Sequence, residues 1–219
     1  MTRTYILSQI KSAVVPAGKR ARTIPLGLFR GQRMEIDLRT DMQFYLGLNE
    51  RELAPWVRKL SRGIKTAVDV GCREGYYTLF FRKHTDARVI ALDCDPAAER
   101  LLRRSLALNE SEVEFRLGEI SDQNPLDTVL PIEFPAVVKM DIEGWEGVAI
   151  KSAPRLLAED VRWIVETHSE AVEAECLSLF RNAGVKAQIV PNAWWRAFVP
   201  EQRPGFCDHN RWIVAARDL

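Results

Sequence analysis

The 219-residue sequence lacks a dominant charge. Its 31 lysine and arginine residues are balanced by 30 aspartate and glutamate residues, which leaves a formal net charge of +1. Proteins that bind polyanions usually carry a clear basic excess. Nucleic acid is therefore not an expected partner.

Long apolar runs are also missing. No stretch approaches the roughly 18 consecutive apolar residues of a membrane-spanning helix, and residues 1–20 lack the continuous apolar region of a secretory signal. This first segment is either a short basic amphipathic helix that touches a membrane or partner, or an arm that packs on the domain. The length predicts one domain, so we expect an N-terminal arm at residues 1–45 and a domain at residues 46–219.

Cysteine is scarce, and no Cys-x-x-Cys spacing occurs among the four, which are Cys72, Cys94, Cys176 and Cys207. A zinc site or a disulfide framework is disfavoured, and a cytoplasmic location is favoured. Cys72 and Cys94 follow two neighbouring predicted strands. We expect both to be small side chains that line a ligand pocket.

What the sequence does have is a buried-strand pattern that ends on an acid and turns on glycines into a helix. The strand contains Asp69, and the turn contains Gly71 and Gly75. Such glycines let a ligand approach the backbone, and the amides of the following helix face it. Asp93 ends the next apolar run, where a carboxylate commonly binds ribose hydroxyls. The pattern predicts a nucleoside-containing cofactor; the alternative is that the glycines only close the turn.

The turn does not have the spacing of a dinucleotide site. Arg73 stands where the second glycine of the Gly-x-Gly-x-x-Gly fingerprint would admit a pyrophosphate. No Gly-Lys-Ser/Thr sequence follows the strand, so a P-loop is not present either. This pattern favours a cofactor that contains adenosine but no pyrophosphate.

A second motif is more specific. A buried strand again ends in carboxylates, with the sequence Lys139-Met140-Asp141-Ile142-Glu143-Gly144-Trp145-Glu146. Together with the stretch from Asp69 to Thr78, it resembles the FkbM family of S-adenosylmethionine-dependent methyltransferases. The family has a Lys-x-Asp-x-Glu-Gly-x-Glu signature and an Asp-Val-Gly-Ala-Asn-x-Gly-Tyr-Tyr-Thr-like turn. Here Cys72 and Arg73 replace the usual Ala-Asn, and Asp93 replaces the usual Glu.

This resemblance implies S-adenosylmethionine as the cofactor and a hydroxyl group as the methyl acceptor, on a sugar, polyketide or similar small molecule. The Arg73 guanidinium could pair with the carboxylate of the methionyl moiety. Two rival classes remain open. One is a nucleotide-binding scaffold without catalysis, and the other is an NAD-dependent oxidoreductase, which the missing third glycine disfavours.

Strand and helix patterns alternate along the chain, which predicts an α/β fold with a doubly wound, mostly parallel sheet. The two last predicted strands, at residues 185–190 and 211–216, have no helix between them and are expected to be antiparallel. The sequence thus predicts a class I methyltransferase (Rossmann-like) sheet of order 3-2-1-4-5-7-6, with the last strand antiparallel.

Ligands of such sheets bind beyond the carboxyl ends of the strands. The residues expected there to bind the cofactor are Asp69, Gly71, Cys72, Arg73, Gly75, Asp93, Cys94, Glu119, Ile120 and Asp141. Residues 191–210, which are rich in aromatic side chains, are expected to form a lid or acceptor wall, or merely to cap the sheet.

Removal of a hydroxyl proton calls for a general base, and the candidates are His168, His209 and Asp141. A metal ion held by Asp141, Glu166 and His168 is chemically conceivable. We do not expect one, because these residues match no ligand-spacing motif.

Overall fold

The computed structural model describes residues 17–129, 131–194, 196 and 210–219. Within these ranges, no helix combines the length and the apolar character that crossing a bilayer would require. The strands are β1 (Arg20–Thr23), β2 (Arg33–Ile36), β3 (Thr66–Val70), β4 (Arg88–Asp93), β5 (Glu114–Leu117), β6 (Ala136–Met140), β7 (Val161–Thr167), β8 (Lys186–Val190) and β9 (Arg211–Ala216).

The helices alternate with these strands. They are α1 (Met42–Tyr45), α2 (Ala54–Leu60), α3 (Tyr76–His84), α4 (Pro96–Leu108), α5 (Leu126–Val129), α6 (Glu146–Lys151), α7 (Pro154–Ala158) and α8 (Glu170–Asn182). The Asp95 side chain caps α4 by accepting the Ala97 N–H at 2.8 Å, as Asp before Pro at the first helical position predicts. Pro154 separates α6 from α7, because proline lacks the N–H that a continuous helix requires.

Seven strands form the main sheet in the order β5-β4-β3-β6-β7-β9-β8. Counted from β3 as the first strand, this order is the predicted 3-2-1-4-5-7-6. The strands from β5 to β7 pair in parallel, whereas β9 is antiparallel to both of its neighbours. The predicted fold class is therefore confirmed.

Helices cover both faces of this sheet, as the alternation of side chains along its strands requires. Ala67 and Val137 belong to an apolar cluster with α2, α3 and α4. Val68 and Val138, one position further along their strands, belong to a cluster with α6, α7 and α8. Central strands that are buried on both faces explain the continuous apolar runs of the sequence.

A small hairpin of β1 and β2 precedes the main sheet. The side chains of Ile24, Phe29, Met34 and Ile36 are at most 1 % exposed, and they belong to the same apolar cluster as α3. The described part of the predicted arm thus packs onto the core. The boundary at residue 45 stays a prediction.

Two charged residues interrupt the buried central strands. Asp69 in β3 and Lys139 in β6 are partners in register, and they are 1 % and 3 % exposed. Directly opposed residues of neighbouring strands point to the same face of the sheet. A buried carboxylate and a buried ammonium therefore lie side by side near the carboxyl ends of the central strands.

The segment before α2 contains an additional turn. The sequence pattern of residues 50–60 predicts a single helix, but a 3-10 turn at Arg51–Leu53 comes first and α2 begins at Ala54. Glu50 has a left-handed backbone with φ 45°, which excludes it from the helix. Its side chain instead accepts a hydrogen bond from the Tyr77 hydroxyl.

Candidate functional site

Two adjoining cavities lie at the carboxyl ends of the parallel strands. The first has a volume of about 320 Å³ and the second about 330 Å³, which is at the lower end of the range for small-molecule sites. Gly71, Arg73 and Asp141 line both cavities. A ligand that passes these three residues can occupy both cavities at once.

The first cavity is lined by five carboxylates, namely Asp95, Glu119, Asp141, Glu143 and Asp93. Only Asp93 among them is buried, and backbone amides fix its position. Its Oδ2 accepts the N–H of Arg73 and its Oδ1 accepts the N–H of Asp95, each at 2.9 Å. Asp93 is only 6 % exposed. Because a carboxylate offers about four lone-pair directions, it can still accept hydroxyl donors from a ligand in the cavity.

Other walls of the first cavity are mostly apolar and aromatic. Ile120 and the half-exposed Trp145 line it together with Cys94 and Glu119. Further apolar lining comes from Leu92, Ala98, Leu101 and Ile142. A largely apolar wall beside one buried carboxylate suits a nucleoside, which joins an aromatic base to a ribose.

The second cavity is strongly charged. Its lining includes six carboxylates and three basic side chains, namely Glu35, Asp41, Glu50, Asp69, Glu74 and Asp141 with Lys19, Arg73 and Lys139. Asp69 Oδ2 accepts both the N–H and the hydroxyl of Thr78, at 2.8 and 2.6 Å. Its Oδ1 is buried and has no hydrogen-bond partner among the described residues. That oxygen can accept a donor from a ligand.

Lys139 lies among these carboxylates. Its Nζ is 3.2 Å from Asp141 Oδ2 and 4.8 Å from the ring centroid of Tyr77. Burial alone would lower the pKa of Lys139, but the surrounding carboxyl groups raise it above its ordinary value; these are Asp141, Glu50, Asp69 and Glu166. The lysine is therefore charged at neutral pH and anchors the cluster.

The carboxyl groups around Lys139 differ from one another. Burial raises the pKa of Glu50 and Asp69 above the ordinary value. It raises the pKa of Glu166 further, with the help of the negative charges of Asp141 and Glu50. Burial would also raise the pKa of Asp141, but Lys139 and His168 beside it lower that pKa. Asp141 is thus the best-ionised carboxylate of the group.

His168 lies between two carboxylates. Its Nε2 is 3.4 Å from Asp141 Oδ1, and its Nδ1 is 3.3 Å from Glu146 Oε1. Burial would lower the pKa of His168, but the hydrogen bond to Glu146 and the charge of Asp141 outweigh it and raise the pKa. The ring is held in one orientation, with Nε2 directed at Asp141.

Glu166, near the carboxyl end of β7, lies beside Asp141 and His168. It is 5 % exposed, and its Oε1 accepts a hydrogen bond from Asn210 Nδ2 at 2.6 Å. Ligating atoms of Asp141, Glu166 and His168 all lie within 4.8 Å of one another. The sequence names these three residues as a conceivable metal site without an expected ion, and the structure brings their side chains together.

Most of the residues that the sequence assigned to cofactor binding line one or both cavities. Both cavities are lined by Gly71, Arg73 and Asp141. The first is also lined by Asp93, Cys94, Glu119 and Ile120, and the second is also lined by Asp69 and Cys72. Whether they bind a cofactor stays a prediction. His209 and most of the expected lid lie outside the described residues.

The two turn glycines face protein atoms. A Cβ on Gly71 would lie 1.8 Å from the carbonyl oxygen of Asp141, and one on Gly75 would lie 2.3 Å from Leu102 Cδ1. Gly75 is not among the lining residues of either cavity. Both glycines thus permit close packing of the turn, which is the alternative that the sequence left open.

Sequence reasoning gave Glu50, Tyr77 and Lys139 no role of their own. The signal for Lys139 was a charged residue inside an otherwise apolar strand. Because charges are rarely fully buried without a partner, that position predicted an acid on the neighbouring strand. Glu50 carried no comparable signal, since its burial depends on the turn that precedes α2.

No model of a known protein family matches the chain, and no curated protein matches it. The FkbM resemblance therefore stays a prediction. Solved structures do share the fold. Precorrin-6y C5,15-methyltransferase from Geobacter metallireducens has a TM-score of 0.54 at 16% identity, covering 76% of this chain and 88% of its own.

Two Pyrococcus abyssi structures cover 91% of this chain. The tRNA (uracil-54, C5)-methyltransferase in complex with S-adenosyl-L-homocysteine has a TM-score of 0.54 at 14% identity. Trm5b has a TM-score of 0.52 at 15% identity. This chain spans only 44% and 55% of these two proteins, respectively.

Identities this low show the fold alone, and that fold is the one found in class I methyltransferases. One of these neighbours is a tRNA enzyme. The fold by itself therefore does not support the exclusion of nucleic acid that the net charge suggested.

Proposed function

We propose that the protein is an S-adenosylmethionine-dependent methyltransferase of FkbM type that transfers the methyl group to a hydroxyl oxygen of a small molecule. One observation carries this proposal. A cavity with apolar walls and one buried carboxylate, Asp93, joins a more strongly charged cavity at Gly71, Arg73 and Asp141. The polar groups of S-adenosylmethionine are distributed in the same way, because its adenosine is joined through a sulfonium to a charged amino acid.

In this proposal, adenosine occupies the first cavity. Asp93 accepts hydrogen bonds from the ribose hydroxyls, and the base lies among Ile120, Trp145 and Glu119. Trp145 is 56% exposed, so its ring is available for an aromatic base. Stacking of that kind contributes about 0.5–1.5 kcal/mol beyond the area it buries.

The methionyl moiety then occupies the edge of the second cavity. The unpartnered Oδ1 of Asp69 accepts from the ammonium group, and the Arg73 guanidinium pairs with the carboxylate. Arg73 is 68% exposed, and its Nη1 lies 3.6 Å from Glu143, a weak surface pair that a ligand carboxylate can replace.

The sulfonium is left near Gly71 and Asp141, where the two cavities meet. In the transfer step the acceptor oxygen forms a bond to the methyl carbon while the carbon–sulfur bond breaks, and the hydroxyl proton passes to a base. Asp141, His168 and His209 remain the candidates for that base. The protein contributes alignment and exclusion of water, because the sulfonium itself is reactive.

The charge of the second cavity favours a small hydroxyl acceptor over a polyanion. Its lining has six carboxyl groups against three basic side chains, and although burial raises the pKa of two of the acids, Glu50 and Asp69, the remaining charge offers phosphates no net attraction. This argument from the site agrees with the net charge of +1. A sugar, a polyketide or a similar molecule fits these conditions, and a cytoplasmic location stays a prediction.

The rival classes predict different ligands. A dinucleotide would bring its pyrophosphate close to Asp141 and Glu143, and Arg73 occupies the position of the glycine that would admit it. Calorimetry with S-adenosylhomocysteine and with NAD separates the two. We expect binding of the first only, and binding of NAD alone would refute the proposal.

Catalysis is tested by transfer of a labelled methyl group to a library of hydroxyl compounds. His168→Ala should lower kcat by about 10²–10⁴-fold, the usual contribution of a general base, with cofactor affinity nearly unchanged. Cofactor binding without transfer to any compound would favour the scaffold. If transfer occurs and His168→Ala slows it by only a few-fold, Asp141 or His209 is the better candidate.

A further inference from the structure

We propose that Asp141, Glu166 and His168 form a binding site for a divalent metal ion. Asp141 follows β6, and the other two residues come from the carboxyl end of β7, the parallel neighbour of β6. One ligating atom from each lies within 4.8 Å of the others. Glu166 is 5 % exposed, but Asp141 and His168 are less buried, which provides a path for entry.

His168 has the surroundings of a metal-binding imidazole. Its Nδ1 contacts Glu146 at 3.3 Å, while Nε2 points to Asp141 Oδ1. Glu146 is fully buried and accepts the N–H groups of Ile142 and Gly144, so its position is fixed. Metal-ligating histidines almost always donate their second ring N–H to such a group, which directs the other nitrogen at the ion.

In each of the two carboxylates, one oxygen is paired with a protein donor and the other is available to an ion. Asp141 Oδ2 is paired with Lys139 at 3.2 Å, which leaves Oδ1 on the side of His168. Glu166 Oε1 accepts from Asn210 at 2.6 Å. Its Oε2 is buried without a hydrogen-bond partner among the described residues. A buried acceptor without a partner is destabilising, and a metal ion would supply that partner.

The charge balance of the described residues points in the same direction. Four carboxyl groups act on the single buried ammonium of Lys139; they are Glu50, Asp69, Asp141 and Glu166. Buried charges are stable only when they are paired. A divalent cation beside Asp141 and Glu166 would pair with both as carboxylates, which the one positive charge of Lys139 cannot do alone.

The ligand set indicates which ions fit. Carboxylates suit Mg²⁺ and Mn²⁺, whereas an imidazole suits Zn²⁺ and Fe²⁺, so a mixed set favours Mn²⁺, Fe²⁺ or Zn²⁺. Ligand bonds of about 2.1 Å at tetrahedral or octahedral angles set neighbouring donors about 3.0–3.4 Å apart. Atoms that lie up to 4.8 Å apart would therefore have to approach one another by about 1.4–1.8 Å, which rotation of the side chains can supply.

The role of the ion, though not its binding, rests on the proposed function. An ion at this place adjoins the seam of the two cavities at Asp141. It would hold the acceptor hydroxyl and lower its pKa, as Lewis-acid metals do. His168 would then be a ligand to the ion, and the hydroxyl, made more acidic by the metal, would release its proton to solvent as its oxygen bonds to the methyl carbon.

Titration calorimetry of the metal-stripped full-length protein with MnCl₂, supported by Mn²⁺ electron paramagnetic resonance, tests the site. We expect one Mn²⁺ per chain. Glu166→Gln keeps the shape and the Asn210 contact but removes the charge, so it should weaken Mn²⁺ binding by at least tenfold. Glu146→Gln should weaken it about 10- to 100-fold, as changes to groups behind the ligands usually do.

Glu159→Gln, which removes an exposed carboxylate at the end of α7, is the matched control and should bind Mn²⁺ like the wild type. Circular dichroism checks that each variant is folded, and His168→Asn is a second ligand variant if Glu166→Gln unfolds. No Mn²⁺ binding at millimolar concentration, or equal binding by Glu166→Gln and Glu159→Gln, would overturn the proposal. S-adenosylhomocysteine binding in the same samples shows separately whether the cofactor assignment fails.

Discussion

Replacement of Asp93 by alanine should weaken binding of S-adenosylhomocysteine by about ten- to a hundredfold. The Asp93 carboxylate is 6 % exposed and accepts two backbone N–H bonds at 2.9 Å. Two of its four lone-pair directions remain for the ribose hydroxyls. A hydrogen bond to a charged group contributes about 1.5–3 kcal/mol, and every 1.4 kcal/mol is a tenfold change in affinity.

The same carboxylate also fixes the turn through the amides of Arg73 and Asp95, so the substitution could act indirectly. Asp93→Glu separates the two roles, because it retains a carboxylate for the ribose but displaces the two amide bonds. If ribose binding dominates, Asp93→Glu binds more tightly than Asp93→Ala. Glu99→Gln, which removes a partly exposed acid of α4 that pairs with Arg103, is the control for a general charge effect.

Isothermal titration calorimetry at 25 °C measures the affinities, and thermal unfolding of the ligand-free variants measures the stability of the turn. An affinity of Asp93→Ala within threefold of the wild type would refute the ribose assignment. An equal loss of affinity in Asp93→Ala and Asp93→Glu, accompanied by equal destabilisation, would show that Asp93 acts only by holding the turn.

Three further predictions concern the surroundings of the site. S-adenosylhomocysteine should protect the exposed Cys94 from iodoacetamide in peptide mass spectrometry, because Cys94 lines the first cavity; Cys176 should not react, since burial raises its pKa to about 12. Gly71→Ala should lower the melting temperature far more than Gly63→Ala. A Cβ at Gly71 would lie 1.8 Å from the Asp141 carbonyl oxygen. A Cβ at Gly63 would face open space, so that substitution costs only the strain of a left-handed backbone, about 1–2 kcal/mol. Glu52→Gln should destabilise the fold by about 1 kcal/mol at pH 7, because a neutral amide hydrogen-bonds less strongly than a carboxylate to the Arg196 guanidinium, 2.7 Å away. Burial raises the pKa of Glu52, but the hydrogen bonds from Arg196 and the Ala193 N–H outweigh it and lower the pKa from its ordinary 4.5, so this stabilisation is present above that pH and lost as the pH falls through the folded pKa; a difference in chemical denaturation that does not shrink as the pH is lowered through the acid range would refute it.

The sheet was predictable because its determinants are local. Apolar runs of strand length alternate with helix patterns, and the absence of a helix between the last two strands predicts their antiparallel pairing. Strand β3 was recognisable from Asp69 and Gly71, and β6 was recognisable from the apolar run that ends at Asp141. These features fix which residues lie at the carboxyl edge, and hence the general place of the site.

The interior of the site was not predictable to the same extent, since it depends on register and on side-chain orientation. Asp69 and Lys139 are neighbours only because β3 and β6 pair in one particular register. Glu50 reaches the site through a left-handed backbone position, which its residue type does not indicate. The convergence of Glu166 and His168 with Asp141 likewise has no spacing motif, because β6 and β7 are brought together by the fold.

Gly71 shows a different limit. A glycine after a buried strand is compatible with close approach of a ligand or with close approach of another backbone segment. The structure places the Asp141 carbonyl there, so the absent side chain is needed for packing in the ligand-free protein. Loss of cofactor binding in a Gly71 variant would therefore carry no information about the cofactor unless folding were measured as well.

The position of the seam between the two cavities bears on which ligand can cross it. Gly71 and Asp141 follow β3 and β6, the two strands between which the order of the sheet reverses, and open α/β sheets bind ligands at such points. A ligand that crosses there meets Asp141 and also Arg73, which pairs with Glu143 at 3.6 Å. Asp141 is itself paired with Lys139 at 3.2 Å, so the seam carries charges of both signs and its charge does not separate a sulfonium from a pyrophosphate. The choice of S-adenosylmethionine over NAD therefore rests on the spacing of the turn, because Arg73 stands where the second glycine of the dinucleotide fingerprint would admit the pyrophosphate.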